Sequence, residues 1–353
     1  MMKILVCCDY MAPYEGNFIA SIKKLDDEIK RIFDITYLFP RGQNESFLKW
    51  FNVFASTHKV KTVFPGDYDA IFNEAGGDYD FIYLHFFSIE FARIMANSYK
   101  DKKIIFHGHH MPIIKKWRAV VELFKSINKR YNNLYVIACS KEVKKAYTYM
   151  VKNKNVFLIH NCIDFKRIDN LISMSEKKNN NGLYVISMFG GEYYTKGVDV
   201  ACKAITHLSR ENVVLNIYCS HNLENNKKII ENKFPKNKFQ LLESKSNPCD
   251  IYLNSDLFIA PSRFEGFNYS ILECIYCGTP VVASNLKVHK HVGCNYLFFR
   301  KNNYRSLARK IDYVIKNKNV CDTNNEAVIR NYDIGIWVES VKKLFIYLKG
   351  EFK

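Results

Sequence analysis

Glu265 and Glu273 stand eight positions apart in a stretch suited to hold a polar ligand. Glu265 precedes Gly266, Phe267 and Asn268 at a predicted helix start, and Glu273 lies two turns into that helix. A helix start offers free N–H groups and the positive end of the dipole, which suit a phosphate. Gly266 lets a ligand approach the backbone closely. Carboxylates accept hydrogen bonds from hydroxyls. A molecule with both a diphosphate and hydroxyls, such as a nucleotide sugar, satisfies the whole stretch. Hydrolysis of a glycosidic bond is the competing chemistry, and it needs two carboxylates about 5–10 Å apart. Eight helical residues span ~12 Å, so substrate holding is preferred.

Three other groups have residue types that do chemistry. Gly190-Gly191-Glu192-Tyr193-Tyr194-Thr195-Lys196-Gly197 ends in a lysine at a helix start, and such a lysine suits a phosphate. Histidines stand at 107, 109 and 110, beyond an apolar run. Three histidines in four positions suggest a metal, but they lie on a predicted turn with no acidic ligand following, so a metal site is the weaker reading. Gly16-Asn17 closes the loop after the first strand, where Asn17 tolerates positive φ well.

These residues need elements to hold them. Short apolar runs alternate with amphipathic stretches, the pattern of parallel sheets with crossover helices. Strands are predicted at 3–8, 34–39, 81–84, 103–106, 134–138 and 156–159, then at 184–189, 213–219, 239–242, 257–260, 280–283 and 296–299. Helices are expected at about 17–31, 88–99, 112–128 and 141–150, and at 196–207, 268–276 and 304–316. The polar run 173–182 separates two halves, giving domains at 1–170 and 183–330. A last amphipathic helix, 334–348, carries Trp337, Val341, Leu344 and Tyr347 on one side; residues 331–353 are expected to return to the first domain. Ligands of open parallel sheets bind at the carboxyl ends of strands, where each group above falls.

At 353 residues the chain is long for one core, and its 48% hydrophobic content fills two. No apolar run reaches the ~18 residues of a membrane span. The N-terminal apolar run is too short for a signal peptide, which places the expected location in the cytoplasm. Eleven scattered cysteines fit a reduced interior better than a disulfide or zinc framework. The net charge of +17 is spread along the chain without a nucleic-acid signature, so nucleic acid is not an expected partner. The stretch 113–131 carries six basic residues and one acid, with Ile113, Trp117, Val120, Val121, Phe124 and Ile127 at helical spacing. That is the pattern of an interfacial helix on an anionic membrane; a helix that buries this face on a sheet is the plainer reading.

Ala260–Ser284 resembles the signature of the retaining glycosyltransferases of family 4, with Asn268 where the family has a glycine. Gly190–Asp199, Ile104–His110, Tyr10–Asn17, Ile159–Asp164 and Tyr135–Ser140 resemble further family elements in the same order. The resemblance implies an α/β protein of the GT-B fold: two Rossmann-like, doubly wound parallel-sheet domains facing an interdomain cleft. It implies transfer of a sugar, with retention, from a nucleotide diphosphate sugar to a hydroxyl of a glycan or lipid-linked acceptor. The expected setting is synthesis of cell-surface polysaccharide or glycolipid, on the inner face of the membrane. Glu273 is then expected to hold the ribose and Glu265 the sugar hydroxyls. Gly266, Phe267, Asn268, Gly190 and Gly191 contribute to donor binding. Lys196 neutralises the leaving diphosphate in place of a metal, and no cofactor is expected. His107, or its alternates His109 and His110, contacts the sugar, and Gly16 and Asn17 line the acceptor and diphosphate loop. The family's arginine before the lysine is replaced by Gly191 or Glu192; either Glu192 points away or another cation substitutes, with Arg263 or Lys196 alone the candidates. An epimerase-like GT-B enzyme and a non-catalytic sugar-nucleotide or membrane-binding protein are the alternatives.

Overall fold

A computed structural model describes residues 1–111, 132–151, 153–176, 182–292, 297–317 and 326–350. The expected interfacial helix at 113–131 lies outside them. The chain forms two compact units, Met1–Asp164 with Ile334–Lys353, and Phe165–Asp333. The division thus falls before the helix Phe165–Ser173, which belongs to the second unit, and not at 170 beside the polar run 173–182.

The first unit holds seven parallel strands. These are β1 (Met2–Cys8), β2 (Phe33–Pro40), β3 (Lys59–Val63), β4 (Phe81–His85), β5 (Lys103–Gly108), β6 (Leu134–Ala138) and β7 (Val156–Leu158). Their order is β3-β2-β1-β4-β5-β6-β7, so the winding reverses between β1 and β4. The central strands are apolar runs buried on both faces, as parallel sheets require. The sequence reading missed β3 because it is a partly exposed edge strand, Lys-Val-Lys-Thr-Val, with little apolar signal. Helix α1 (Asn17–Ile29) follows β1 and buries Ile19, Ile22, Leu25 and Ile29, one stripe at helical spacing. The C-terminal helix Ile334–Gly350 shares that core through Trp337, Val338, Val341, Leu344, Phe345 and Leu348. Tyr347, expected on the buried side, is exposed, and Leu348 takes its place.

The second unit holds β8 (Tyr184–Phe189), β9 (Val213–Cys219), β10 (Phe239–Glu243), β11 (Leu257–Ala260), β12 (Val281–Ser284) and β13 (Leu297–Phe299). Their order is β10-β9-β8-β11-β12-β13, again parallel, with the reversal between β8 and β11. Two helices leave that reversal: α2 (Val198–His207) after β8 and α3 (Tyr269–Tyr276) after β11.

Helix starts differ in a way that bears on the site. The helices beginning at Glu45, Tyr68, Ile89, Lys141 and Tyr304 have an Asn, Asp or Ser side chain that accepts a backbone N–H of the first turn. The helices at the two reversals begin at Gly16, Gly197 and Asn268, with no side-chain cap. At α2 the Val198 N–H turns instead to the Tyr193 carbonyl at 3.0 Å.

Candidate active site

In the second unit the loop after β8 lies against the loop after β11. Arg263 N–H donates to the Thr195 carbonyl at 2.8 Å and ties the two together. Gly197 makes the approach possible. It holds φ +69°, and a Cβ there would lie 2.2 Å from the Pro261 carbonyl oxygen. Gly190 is equally confined, with Ile217 Cγ2 2.4 Å from a built Cβ.

This packing brings Lys196 to Glu265. Lys196 Nζ donates to Glu265 Oε1 at 2.7 Å, and Ser262 Oγ donates to the same oxygen at 2.7 Å. The Glu265 side chain is 9% exposed. Burial alone would raise its pKa, but the Lys196 charge and hydrogen bond, helped by the Ser262 hydroxyl, outweigh this and hold the carboxyl below its ordinary value. Glu265 is thus an ionised acceptor, paired with the cation expected to meet a diphosphate.

Glu273 is anchored elsewhere. It lies on α3, with its side chain 8% exposed. The buried Tyr252 hydroxyl donates to Oε2 at 2.6 Å, and Arg167 Nη2 stands 3.7 Å from Oε1. The two acids are therefore held by different cations on different elements, which suits two separate ligand contacts better than a hydrolytic pair.

Gly266 is buried, and Phe267 packs its ring on Tyr269 and Tyr332 at 5.0 and 5.7 Å. Asn268 Nδ2 lies 3.3 Å from His289 Nε2. Gly190 and Gly191 are fixed from behind: the Asn226 amide donates to the Gly190 carbonyl at 2.7 Å, and that of Asn222 to the Gly191 carbonyl at 3.1 Å. Glu192 points at His221, Oε1 to Nε2 3.1 Å.

Arg263 is not the substitute cation. Its guanidinium forks onto Asp199 with two bonds of 2.8 Å, donates to the Tyr194 carbonyl at 2.6 Å, and covers the Tyr194 ring at 4.2 Å. At 7% exposure it is a brace between the loop and α2.

The first unit corrects the histidine assignment. Strand β5 alternates, so His107 and His109 share one face, and β4 places His85 directly beside His107. That face is the core. His107 is 1% exposed, with Nδ1 2.8 Å from the Tyr83 hydroxyl and its ring near Trp337. Burial pushes its imidazole down to about 3. His107 is therefore a neutral core residue and is not positioned to touch a sugar. Of its alternates, His109 stacks between Phe86 and His107, and His110 is exposed. Phe86, which follows β4, holds φ +66°, a conformation that a bulky residue adopts only under constraint.

Ligand atoms of His85, His107 and His109 lie within 4.8 Å of one another, which raises the question of a metal. The ring planes answer it. His107 and His109 are stacked 4.1 Å apart with 9° between planes. A metal must lie in the plane of each imidazole, about 2 Å from nitrogen, and two parallel stacked rings share no such point. As arranged, the three do not form a ligand set.

Gly16 caps α1 at φ −87°, an ordinary extended conformation. Asn17 is the first helical residue, not a positive-φ turn residue, and its buried side chain accepts from Asp164 N–H at 3.3 Å. This bond joins the start of α1 to Asp164.

Sequence reasoning missed Tyr252, Arg167, His221 and His289. All act through contacts distant in sequence or lie in segments without a motif.

A family model described as "Glycosyl transferases group 1" matches residues 169–332. No curated protein matches the chain. Solved structures do. HepE from Anabaena, crystallised with UDP and glucose, aligns over 98% of this chain and 100% of its own with TM-score 0.77 and 15% identity. A glycosyltransferase from Rickettsia africae aligns over 99% and 98%, with TM-score 0.73 and 17% identity. Sucrose-phosphate synthase from Thermosynechococcus elongatus aligns over 99% and 100%, with TM-score 0.74 and 12% identity. Together with the two parallel-sheet α/β units, these likenesses establish the fold of the chain as GT-B.

Proposed function

We propose that the protein is a retaining glycosyltransferase that takes a sugar from a nucleoside diphosphate sugar and places it on a hydroxyl of a glycan or lipid-linked acceptor. The observation that carries this reading is the Lys196–Glu265 pair at the strand-order reversal of the second unit, beside the uncapped start of α3. The match to group 1 glycosyl transferases spans this unit, and the complex of the structurally similar HepE contains UDP and glucose.

On this reading Lys196 leaves Glu265 for the diphosphate and neutralises the charge that grows on it as the glycosidic bond breaks. Glu265, already ionised, then accepts from sugar hydroxyls. Backbone N–H groups at Gly266 and Phe267 face the sugar or phosphate. Glu273 accepts from the ribose. The acceptor oxygen bonds to the anomeric carbon on the face the diphosphate leaves, and its proton passes to the departing phosphate oxygen. We place the reaction in the cytoplasm, with polysaccharide or glycolipid as product. Among the described residues no helix is long and apolar enough to cross a membrane.

Release of free nucleoside diphosphate from a panel of nucleotide sugars, with and without glycan and lipid extracts, tests the assignment. Acceptor-dependent release is expected. Tight binding without turnover would favour a non-catalytic protein, and a changed sugar nucleotide without acceptor would favour an epimerase. Lys196 takes the place of a metal in this reading, so activity is expected to survive EDTA. Loss on chelation with recovery on adding manganese would contradict it. Glu273→Ala is expected to weaken nucleoside diphosphate binding about 10–100-fold in calorimetry, the worth of one or two hydrogen bonds to a charged acceptor. Unchanged affinity would remove the ribose role.

A further inference from the structure

Asn268 occupies the last step before α3, three residues after Glu265. An asparagine amide has one accepting and one donating prong, and nothing in the residue itself decides which prong faces a ligand. In this protein a buried neighbour decides it. His289 is 0% exposed. Its Nδ1 lies 2.8 Å from the Ser284 carbonyl, and a carbonyl only accepts, so Nδ1 carries a proton. In a neutral ring Nε2 is then a lone pair, and the group 3.3 Å from it, Asn268 Nδ2, must donate. Asn268 Oδ1 is then the prong that does not face His289. Ser284 is fixed in turn, its hydroxyl donating to the Ser262 carbonyl at 2.7 Å, while the Ser262 hydroxyl donates to Glu265. One chain of hydrogen bonds thus joins the Glu265 carboxylate to the Asn268 amide through the backbone of residues 262 and 284.

We infer that His289 is a positioning residue that turns Asn268 Oδ1 toward the ligand, and that this oxygen selects donor sugars bearing a hydroxyl where it points. The inference rests on reading the site as a donor site. Two further observations support it. Glu265 and Lys196 are near enough for their charges to act on the His289 ring, so the Asn268–His289 pair borders the carboxylate expected to hold the sugar. Burial lowers the His289 pKa, which favours the neutral ring that the argument needs. A charged ring would donate from Nε2 and reverse the amide.

Two measurements on the full chain decide the matter. Proton–nitrogen correlation spectra of histidine-labelled protein should show His289 neutral and protonated on Nδ1 at pH 7. A charged ring, or a proton on Nε2, overturns the proposal without reference to any ligand. Calorimetry with UDP, UDP-glucose and its 2-, 3-, 4- and 6-deoxy analogues tests selection. The natural protein should bind one monodeoxy donor about tenfold more weakly than UDP-glucose, the worth of one hydrogen bond. His289→Ala should shrink that ratio below about threefold while UDP affinity stays within about twofold, and His289→Gln, whose carbonyl can accept from Nδ2, should restore it. An undiminished ratio in His289→Ala, with UDP bound normally, sinks this inference alone. Failure of the natural protein to bind UDP or UDP-glucose sinks the inference, and the same result with GDP and ADP also sinks the donor-site reading.

Discussion

Lys196→Ala is expected to lower kcat/KM for nucleotide-sugar turnover by about 10²–10³-fold, the usual effect of removing one preorganised group that stabilises developing charge. The loss should fall mainly on kcat. In the resting protein Lys196 Nζ already has an anionic partner in Glu265 at 2.7 Å, so binding a ground-state diphosphate exchanges one anion for another and gains little. As the sugar–phosphate bond breaks, charge gathers on the diphosphate and the exchange becomes favourable. An interaction that strengthens only at that point raises kcat rather than lowering KM. No second cation on the described loops stands ready to replace Lys196: Arg263 is locked on Asp199 and Tyr194, and Glu192 brings a negative charge to the place where the resembling family has arginine. Steady-state kinetics on a variant shown by melting to be folded are the check. Activity within tenfold of the natural protein would mean that Lys196 is an ordinary ion-pair residue.

Much of this arrangement was readable before any coordinates, and the parts that were not share a physical cause. The segment from Leu257 to Ser284 was legible because strand, loop, helix and strand follow one another within 28 residues, so its contacts are local. The parallel strands were legible because burial on both faces leaves a continuous apolar run. What stayed hidden depends on distant neighbours. Arg263 is a free cation or a brace according to Asp199, 64 positions away. Glu273 is given its orientation by Tyr252 and Arg167, which carry no motif. His107 lies at the end of the β5 region in either reading, and only its burial against Tyr83 and Trp337 shows that its face points into the core. Local pattern thus picked out the two loops of the candidate site, while tertiary contacts decided how their side chains are held.

Gly197→Ala is expected to destabilise the protein by about 2–5 kcal/mol, from a left-handed backbone penalty of about 1–2 kcal/mol and an overpacking penalty of about 1–3 kcal/mol. The two penalties are separable within this chain. Gly278 holds φ +75° with nothing within 4 Å of a built Cβ, so Gly278→Ala carries only the backbone penalty. Gly197 holds φ +69° and adds a contact of 2.2 Å with the Pro261 carbonyl oxygen. That oxygen belongs to backbone at the end of β11 and cannot rotate away as a side chain would. Relief requires the loop after β8 to lift off the loop after β11. The same movement stretches the Arg263–Thr195 bond and draws Lys196 from Glu265, so donor binding should fall with stability. Urea unfolding of both variants measures the difference, with Gly197→Ala expected to lose at least about 1 kcal/mol more than Gly278→Ala. Equal losses would show that the two loops are not in the close contact on which the proposed donor site depends.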